Sequence, residues 1–274
     1  MNNSKRSIII PIIAIIIVGI LNFPVYWMFI QSVTGESMFE RNPSLLPKNI
    51  SLDSFYRIME ARPIGQWFKN TFIVAIGTVL LSMPLAWAAA FSLSRYKTKL
   101  NSITGIGILA TQMLSASLLA IPIYILFRQT GILDKLIGLI IANTAFTLPM
   151  SIWVLKGFFD GIPKELDEAA MIDGCTVFQM LYKVILPLVL PGIVAVSIFS
   201  FILAWDEFFF ARTLLSSQGN WVLSVGLSSF REEFTIQWSD MMAAAVLFTV
   251  PPTVLFMFIQ KHLVSGLTGG AVKG

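Results

Sequence analysis

From Ile8 to Ile30 the chain reads IIIPIIAIIIVGILNFPVYWMFI. A helix needs about 20 residues to cross the hydrocarbon core of a bilayer, and this run is long enough. Lys5 and Arg6 precede it, as in a signal peptide. The apolar stretch is nevertheless too long for an h-region, and no small-residue cleavage site follows it. It is therefore expected to remain as a first membrane helix. Further runs of the same kind lie at about Asn70–Leu93, Ile103–Phe127, Leu136–Leu155, Leu190–Phe210 and Met241–Leu263, and together they use up most of the 274 residues. The expected fold class is an all-α membrane protein with six transmembrane helices.

Composition points the same way. Mean hydropathy is +0.78; 56% of residues are hydrophobic and only 12% charged, about half the charge of a soluble domain. The net charge of +4 reads as juxtamembrane Lys and Arg. No dense basic run is interleaved with aromatics, so nucleic acid is not an expected partner and membrane lipid is. One cysteine, Cys175, excludes an internal disulfide. With His262 as the one histidine, most metal and nucleophile constellations are excluded, and neither a catalytic nor a metal-ligating residue is expected. An intramembrane enzyme is thereby set aside. A secondary transporter would show internal symmetry and ionisable pairs near mid-membrane, and neither is evident.

Most of the runs carry proline: Pro11 and Pro24, Pro84, Pro122, Pro149, and the pair Pro251–Pro252. Each removes a backbone donor and kinks a helix; a bundle can satisfy the freed carbonyls. Polar residues within the runs are expected to face the bundle interior. Gln112, Ser115 and Ser117 lie in the third run, and Asn143, Thr144 and Thr147 in the fourth. Trp205, Asp206 and Glu207 sit in the outer part of the fifth. A charge at mid-bilayer costs roughly 3 kcal/mol on insertion scales, so these acids read either as a solvated helix end or as part of a path or gate. Trp205 reads as an interface anchor or as a wall of that path. Gln112 and Asn143 join them as candidate path residues.

Two connections are long. One, about Gln31–Lys69, has mixed charges, with Ser51 as a cap before Leu52, Phe55 and Ile58. The other, about Lys156–Val189, contains Gly-Ile-Pro-Lys-Glu-Leu-Asp-Glu-Ala-Ala-Met-Ile-Asp-Gly-Cys-Thr from Gly161 to Thr176. Pro163 suits a first helical turn. Glu165, Asp167 and Glu168 load the positive helix end with acid. Gly174 fits a left-handed C-cap, and Thr176 can cap a second helix running to about Ile185 and stopping before Pro187. The expectation is a helix–turn–helix outside the membrane.

Glu168-Ala169-Ala170, Asp173-Gly174 and the closing Ile185-Leu186-Pro187 resemble the EAA loop of ABC importer permeases. The resemblance covers nearly the whole chain and implies a type I (MetI-like) importer permease. In that family the loop is cytoplasmic and its short coupling helix docks in a cleft of the ATPase. Glu168, Ala169, Ala170, Asp173 and Gly174 would then be the coupling residues. This orientation puts four spans before the loop and both termini in the cytoplasm of a bacterial or archaeal plasma membrane. Charge alone is nearly even: Lys5, Arg6, Arg95, Lys97, Lys99, Lys156, Lys164, Lys183, Lys261 and Lys273 fall inside, and Arg41, Lys48, Arg57, Arg62, Lys69, Arg128, Lys135, Arg212 and Arg231 outside.

The end of the chain, Val264 to Gly274, is similar to the tail of the second permease of maltose- and trehalose-type carbohydrate importers, as is Ala204-Trp205-Asp206-Glu207-Phe208, although Asn is usual where this chain has Asp206. The tail is not a Walker A loop, which needs Ser or Thr after its Lys between a strand and a helix; Gly274 follows Lys273. The chain is therefore expected to hold no cofactor, with ATP and Mg bound by a partner ATPase. The domains implied are a cytoplasmic N-terminus at 1–7, a permease domain at 8–263 and a cytoplasmic tail at 264–274. The tail's Gly269, Gly270 and Lys273 would contact the ATPase. The partners implied are a second homologous permease, two ATPase subunits and an extracytoplasmic solute-binding protein. The solute would be a sugar or a related polyhydroxylated compound, its identity open, with a non-sugar solute as the alternative.

Overall fold

The computed structural model describes residues 3–34, 46, 50–230 and 238–269. Among these residues every regular element is helical. The chain divides into two compact units, Met1–Gly65 with Leu227–Val250, and Gln66–Gly226 with Pro251–Gly274.

In the first unit α1 (Asn3–Thr34) carries the opening apolar run, with Pro11 and Pro24 inside the helix. Its apolar side chains from Ile10 to Phe29 are largely exposed, as a lipid-facing helix requires. After α1 the Ser51 N–H donates to the Val33 carbonyl at 2.7 Å. The Ser51 hydroxyl accepts the Asp53 N–H at 3.0 Å, but the N-cap of α2 (Asp53–Ala61) is Leu52 and not the expected Ser51. Arg57 on α2 pairs with Asp240 at 2.6 Å, in the first turn of α12 (Trp238–Gly269), the helix that follows α11 (Leu223–Ser229) in the chain. The first long connection is thus shorter than the expected 31–69, because α1 runs on to Thr34 and α3 begins at Ile64.

The second unit is built on α3 (Ile64–Arg95). Thr71, Ala75, Thr78, Ser82, Ala86 and Ala90 form a fully buried stripe of small residues along it. Small residues let backbones approach where lipid supplies no hydrophobic drive between helices. The fourth run forms α6 (Leu136–Asp160) and the fifth α9 (Leu186–Asp206). They pack so closely that a Cβ on Gly192 would meet the Phe158 ring at 2.5 Å.

Three expectations about the runs need correction. The third is not one helix but two, α4 (Lys99–Thr111) and α5 (Ala116–Gln129), bent by 98°. Tight turns close α4 through Met113 N–H to Ala110 O and Leu114 N–H to Thr111 O. Ser115, with extended backbone, then starts α5. Hydropathy continues across the break through Met113 and Leu114, which hides it. The fifth run ends at Asp206, not Phe210; the chain breaks at Glu207, and a new short helix, α10 (Phe209–Leu214), follows. The last run continues beyond Leu263, with helical backbone to Gly269.

Hydrogen bonds at the two ends of the helices show how they run. Asn101, at the start of α4, donates to the carbonyls of Ser92 and Tyr96 near the end of α3. Ser94 donates to Asp160 at the end of α6 at 2.6 Å. At the opposite end Asp134, between α5 and α6, accepts from Ser216 and Ser217. Asn70, near the start of α3, donates to Gly219 and Trp221. The bent pair α4–α5 therefore travels from one end of α6 to the other. It is a broken span and not a re-entrant loop.

Candidate functional site

The expected helix–turn–helix is present between α6 and α9. Its first helix, α7, spans Glu165–Ile172 with Glu165, Asp167 and Glu168 in the first turn. Gly174 has φ +80°, a conformation glycine adopts without the Cβ penalty other residues carry. Thr176 accepts the Gln179 N–H while the Gln179 side chain accepts the Thr176 N–H. This reciprocal capping box opens α8 (Val177–Met180).

Beyond α8 the expectation fails. The second helix does not stop before Pro187. A five-residue π turn, Leu181–Ile185, feeds directly into α9, whose first turn contains Pro187. The π turn, with the Leu186 N–H bonded back to Leu181 O, precedes the proline within one continuous helix, Val177–Asp206, so the chain passes Pro187 without a break.

The coupling candidates divide by facing. Glu168, Ala169, Asp173 and Gly174 are exposed. Ala170 is buried in a cluster with Ala86, Phe91, Leu155 and Met180. Its smallness serves packing against the chain's own helices and not close approach by a partner, because one residue step turns a helix by about 100°. Glu168 makes no ion pair among the described residues. It borders a cleft of about 390 Å³ shared with Phe91, Met171 and Val177. Around it the apolar side chains of Met171, Ile172 and Phe178 stand exposed, Ile172 by 86% and Phe178 by 74%. These exposed apolar groups lie on short helices outside the spans.

Arg95, at the end of α3, holds this segment in place, a role not expected from the sequence beyond its positive charge. Its Nε lies 2.6 Å from Asp167 Oδ2, with side-chain exposures of 7% and 17%. Its Nη1 donates to the carbonyls of Phe159 and Ile162 at 3.1 and 3.2 Å. One guanidinium thus ties α7 to the last turn of α6 and to the loop that joins them.

The path candidates do not converge. Gln112 is the exposed C-cap of α4 at the bend. Asn143 is 2% exposed on α6, and neither its carbonyl nor its amide has a partner among the described residues. Thr144 and Thr147 bond back to their own helix. The bond across helices comes instead from Ser151 and Ser200 at 3.2 Å. Trp205 is buried, with ring centroids 4.8 Å from Phe72 and 5.6 Å from both Phe68 and Phe201. It is a packing centre, not an interface anchor. Asp206 is exposed. Glu207 accepts the N–H groups of Phe210 and Ala211 at 2.6 and 2.9 Å, so its carboxylate caps α10. Of the tail candidates, Gly269 ends the helical backbone of α12, and Gly270 and Lys273 lie outside the described residues. Among the described residues no group of His, Cys, Asp and Glu could hold a metal ion.

Comparison with known proteins gives this architecture its place. Residues 82–269 match the family described as "Binding-protein-dependent transport system inner membrane component". The chain is 37% identical over 262 residues to the diacetylchitobiose uptake system permease protein DasC of Streptomyces coelicolor, covering 95% of this chain and 94% of that one. It is 31% identical over 272 residues to the trehalose/maltose transport system permease protein MalG of Thermococcus litoralis, covering 98% of each. The fold matches a chain in the crystal structure of a bacterial ABC transporter that imports the acidic polysaccharide alginate. The TM-score is 0.81 at 23% identity, over 95% of this chain and 98% of that one. A helical chain with this many apolar spans, similar over nearly its full length to importer permeases, is an integral membrane protein of the binding-protein-dependent transport system inner membrane component family.

Proposed function

We propose that this chain is the transmembrane subunit of an ATP-driven importer for a sugar or a related polyhydroxylated solute. In this reading it forms half of the translocation path, beside a second homologous permease. Two ATPase subunits bind ATP and Mg, and an extracytoplasmic binding protein delivers the solute. The single observation that carries the reading is near end-to-end similarity to permeases named for diacetylchitobiose and for trehalose/maltose.

Coupling runs through 156–189, with α7 and the exposed Glu168, Ala169, Asp173 and Gly174 docking on the ATPase. The exposed Ile172 and Phe178 and the unpaired Glu168 support this assignment. The same docking puts this end of the bundle in the cytoplasm, together with both termini, and the tail at 264–274 reaches the ATPase pair. ATP-driven closure of that pair pulls on α7. Through Arg95 the pull reaches α3 and α6, whose rearrangement opens the cavity outward.

The test is uptake by vesicles carrying the full importer, challenged with a panel of labelled oligosaccharides, polyols and non-sugar solutes. Glu168→Ala is expected to abolish solute-stimulated ATPase activity while insertion persists. Normal uptake and normal ATPase co-purification in that variant would sink the coupling assignment. Uptake of non-carbohydrates alone would overturn the sugar reading.

A further inference from the structure

At the Arg95 end of the bundle a cleft of about 1060 Å³ opens between the turn after α3, the start of α4 and the end of α6. Its lining carries five cations, Arg95, Lys97, Lys99, Lys156 and Lys164, against the carboxylates of Asp160 and Glu165. Arg95 is taken up by Asp167 and Lys156 by Asp160 at 2.5 Å. Lys97, Lys99 and Lys164 are exposed and make no ion pair among the described residues. Trp153 forms part of the wall, and its indole N–H is buried without a partner among the described residues. The cleft continues into an apolar stripe. Leu100, Ile103 and Ile106 stand exposed within about a third of a turn of one another along α4, on the side away from Gly105, which packs against Leu93 and Trp153.

A cationic pocket at the membrane–water boundary, bordered by an indole and opening onto an apolar helix face, has the chemistry of a phospholipid. We propose that this cleft binds the phosphate headgroup of an anionic phospholipid. Lys97, Lys99 and Lys164 meet the charge, and an acyl chain lies along Leu100, Ile103 and Ile106. A soluble anion would use the lysines but leave the stripe bare, and the stripe is what favours a lipid. The lipid would brace the turn that carries Arg95, and so the root of α7. The assignment rests on membership of the membrane family and not on the identity of the solute.

The test uses the full importer purified in neutral detergent and titrated with phosphatidylglycerol or phosphatidylcholine, with bound lipid counted by native mass spectrometry. The complex is expected to retain phosphatidylglycerol over phosphatidylcholine by about tenfold, the ratio that about 1.4 kcal/mol gives. The combined Lys97→Gln, Lys99→Gln and Lys164→Gln variant is expected to lose that preference, and the matching three Arg substitutions to keep it. If the triple Gln variant fails to assemble, Lys99→Gln against Lys99→Arg makes the same comparison. Equal retention by wild type and Gln variants overturns the proposal. So does displacement of the lipid by inorganic phosphate, which would mark a site for free phosphate. Loss of a co-purified subunit with lipid retention unchanged would assign the cleft to a protein partner and overturn it as well.

Discussion

Arg95→Gln is the substitution that most directly probes how α7, the proposed coupling helix, is held. The wild-type guanidinium is 7% exposed and meets Asp167 at 2.6 Å, with two further bonds to the carbonyls of Phe159 and Ile162. Breaking a buried ion pair by removing one partner costs roughly 3–5 kcal/mol. Asp167 keeps 17% of its side chain in water, which lowers the cost of leaving it unpaired, so about 3 kcal/mol is the fitting figure. The loss falls locally, on the docked position of α7, since the Ala170 and Met180 contacts still bury the rest of the segment. An equilibrium shift of about a hundredfold follows. In the reconstituted importer, Arg95→Gln should leave insertion and the second permease in place, weaken ATPase co-purification and cut solute-stimulated hydrolysis by more than tenfold. Asp167→Asn should do less, because the two carbonyl bonds survive. A double-mutant cycle between the two positions should return a coupling of about 1–3 kcal/mol. Full stimulated activity in Arg95→Gln, or strict additivity of the pair, would refute the idea that this contact orients α7.

Three further outcomes follow from the geometry. Gly174→Val forces a β-branched residue to φ +80° and should uncouple the complex, whereas Gly174→Asn, which tolerates that region better, should be milder in the same ATPase assay. A Cβ on Gly226 would lie 2.1 Å from the ring of Trp67, which is fully buried and donates its indole N–H to Gln218 O at 3.0 Å. Gly226→Ala should therefore cost about 1–3 kcal/mol and lower the melting temperature, with partial recovery in Gly226→Ala/Trp67→Leu. Asp134 carries a pH signature. Burial works against its ionisation, but hydrogen bonds from the Ser217 side chain and backbone, the Ser216 backbone and Asn220 prevail and hold its carboxyl below the ordinary range. A lowered folded value gives stability that is present above the unfolded pKa of about 3.9 and lost as pH falls through the folded one. The melting-temperature gap between wild type and Asp134→Asn should thus narrow below about pH 4, and a gap constant with pH would contradict this.

Much of this protein is legible in its sequence because its strongest determinants are local. Apolar runs long enough to cross a bilayer identify helices whatever they pack against, since lipid and protein interior are both apolar. The α7 turn is equally local: acids at a helix start, a glycine at positive φ and the Thr176–Gln179 box depend on residues within a few positions of one another. Local chemistry also misleads where hydropathy is blind to backbone direction. Met113 and Leu114 are as apolar as a helix interior, yet the chain bends there by 98°. Pro187 looks like a stop but lies just after a π turn within one continuous helix. What only the tertiary structure decided is which face each residue presents. Ala169 and Ala170 are indistinguishable in sequence, but one is exposed and the other buried against α3 and α8. The sequence places Trp205 and Glu207 near the outer end of a span, but not their partners, an aromatic cluster and the N–H groups of α10. Arg95 looks like one member of a basic cluster until Asp167, 72 positions away, is seen beside it. Contacts between residues so far apart in sequence depend on how helices are rotated about their axes. A uniformly apolar span encodes that rotation only weakly, in its small and polar residues, so the packed structure is needed to read it.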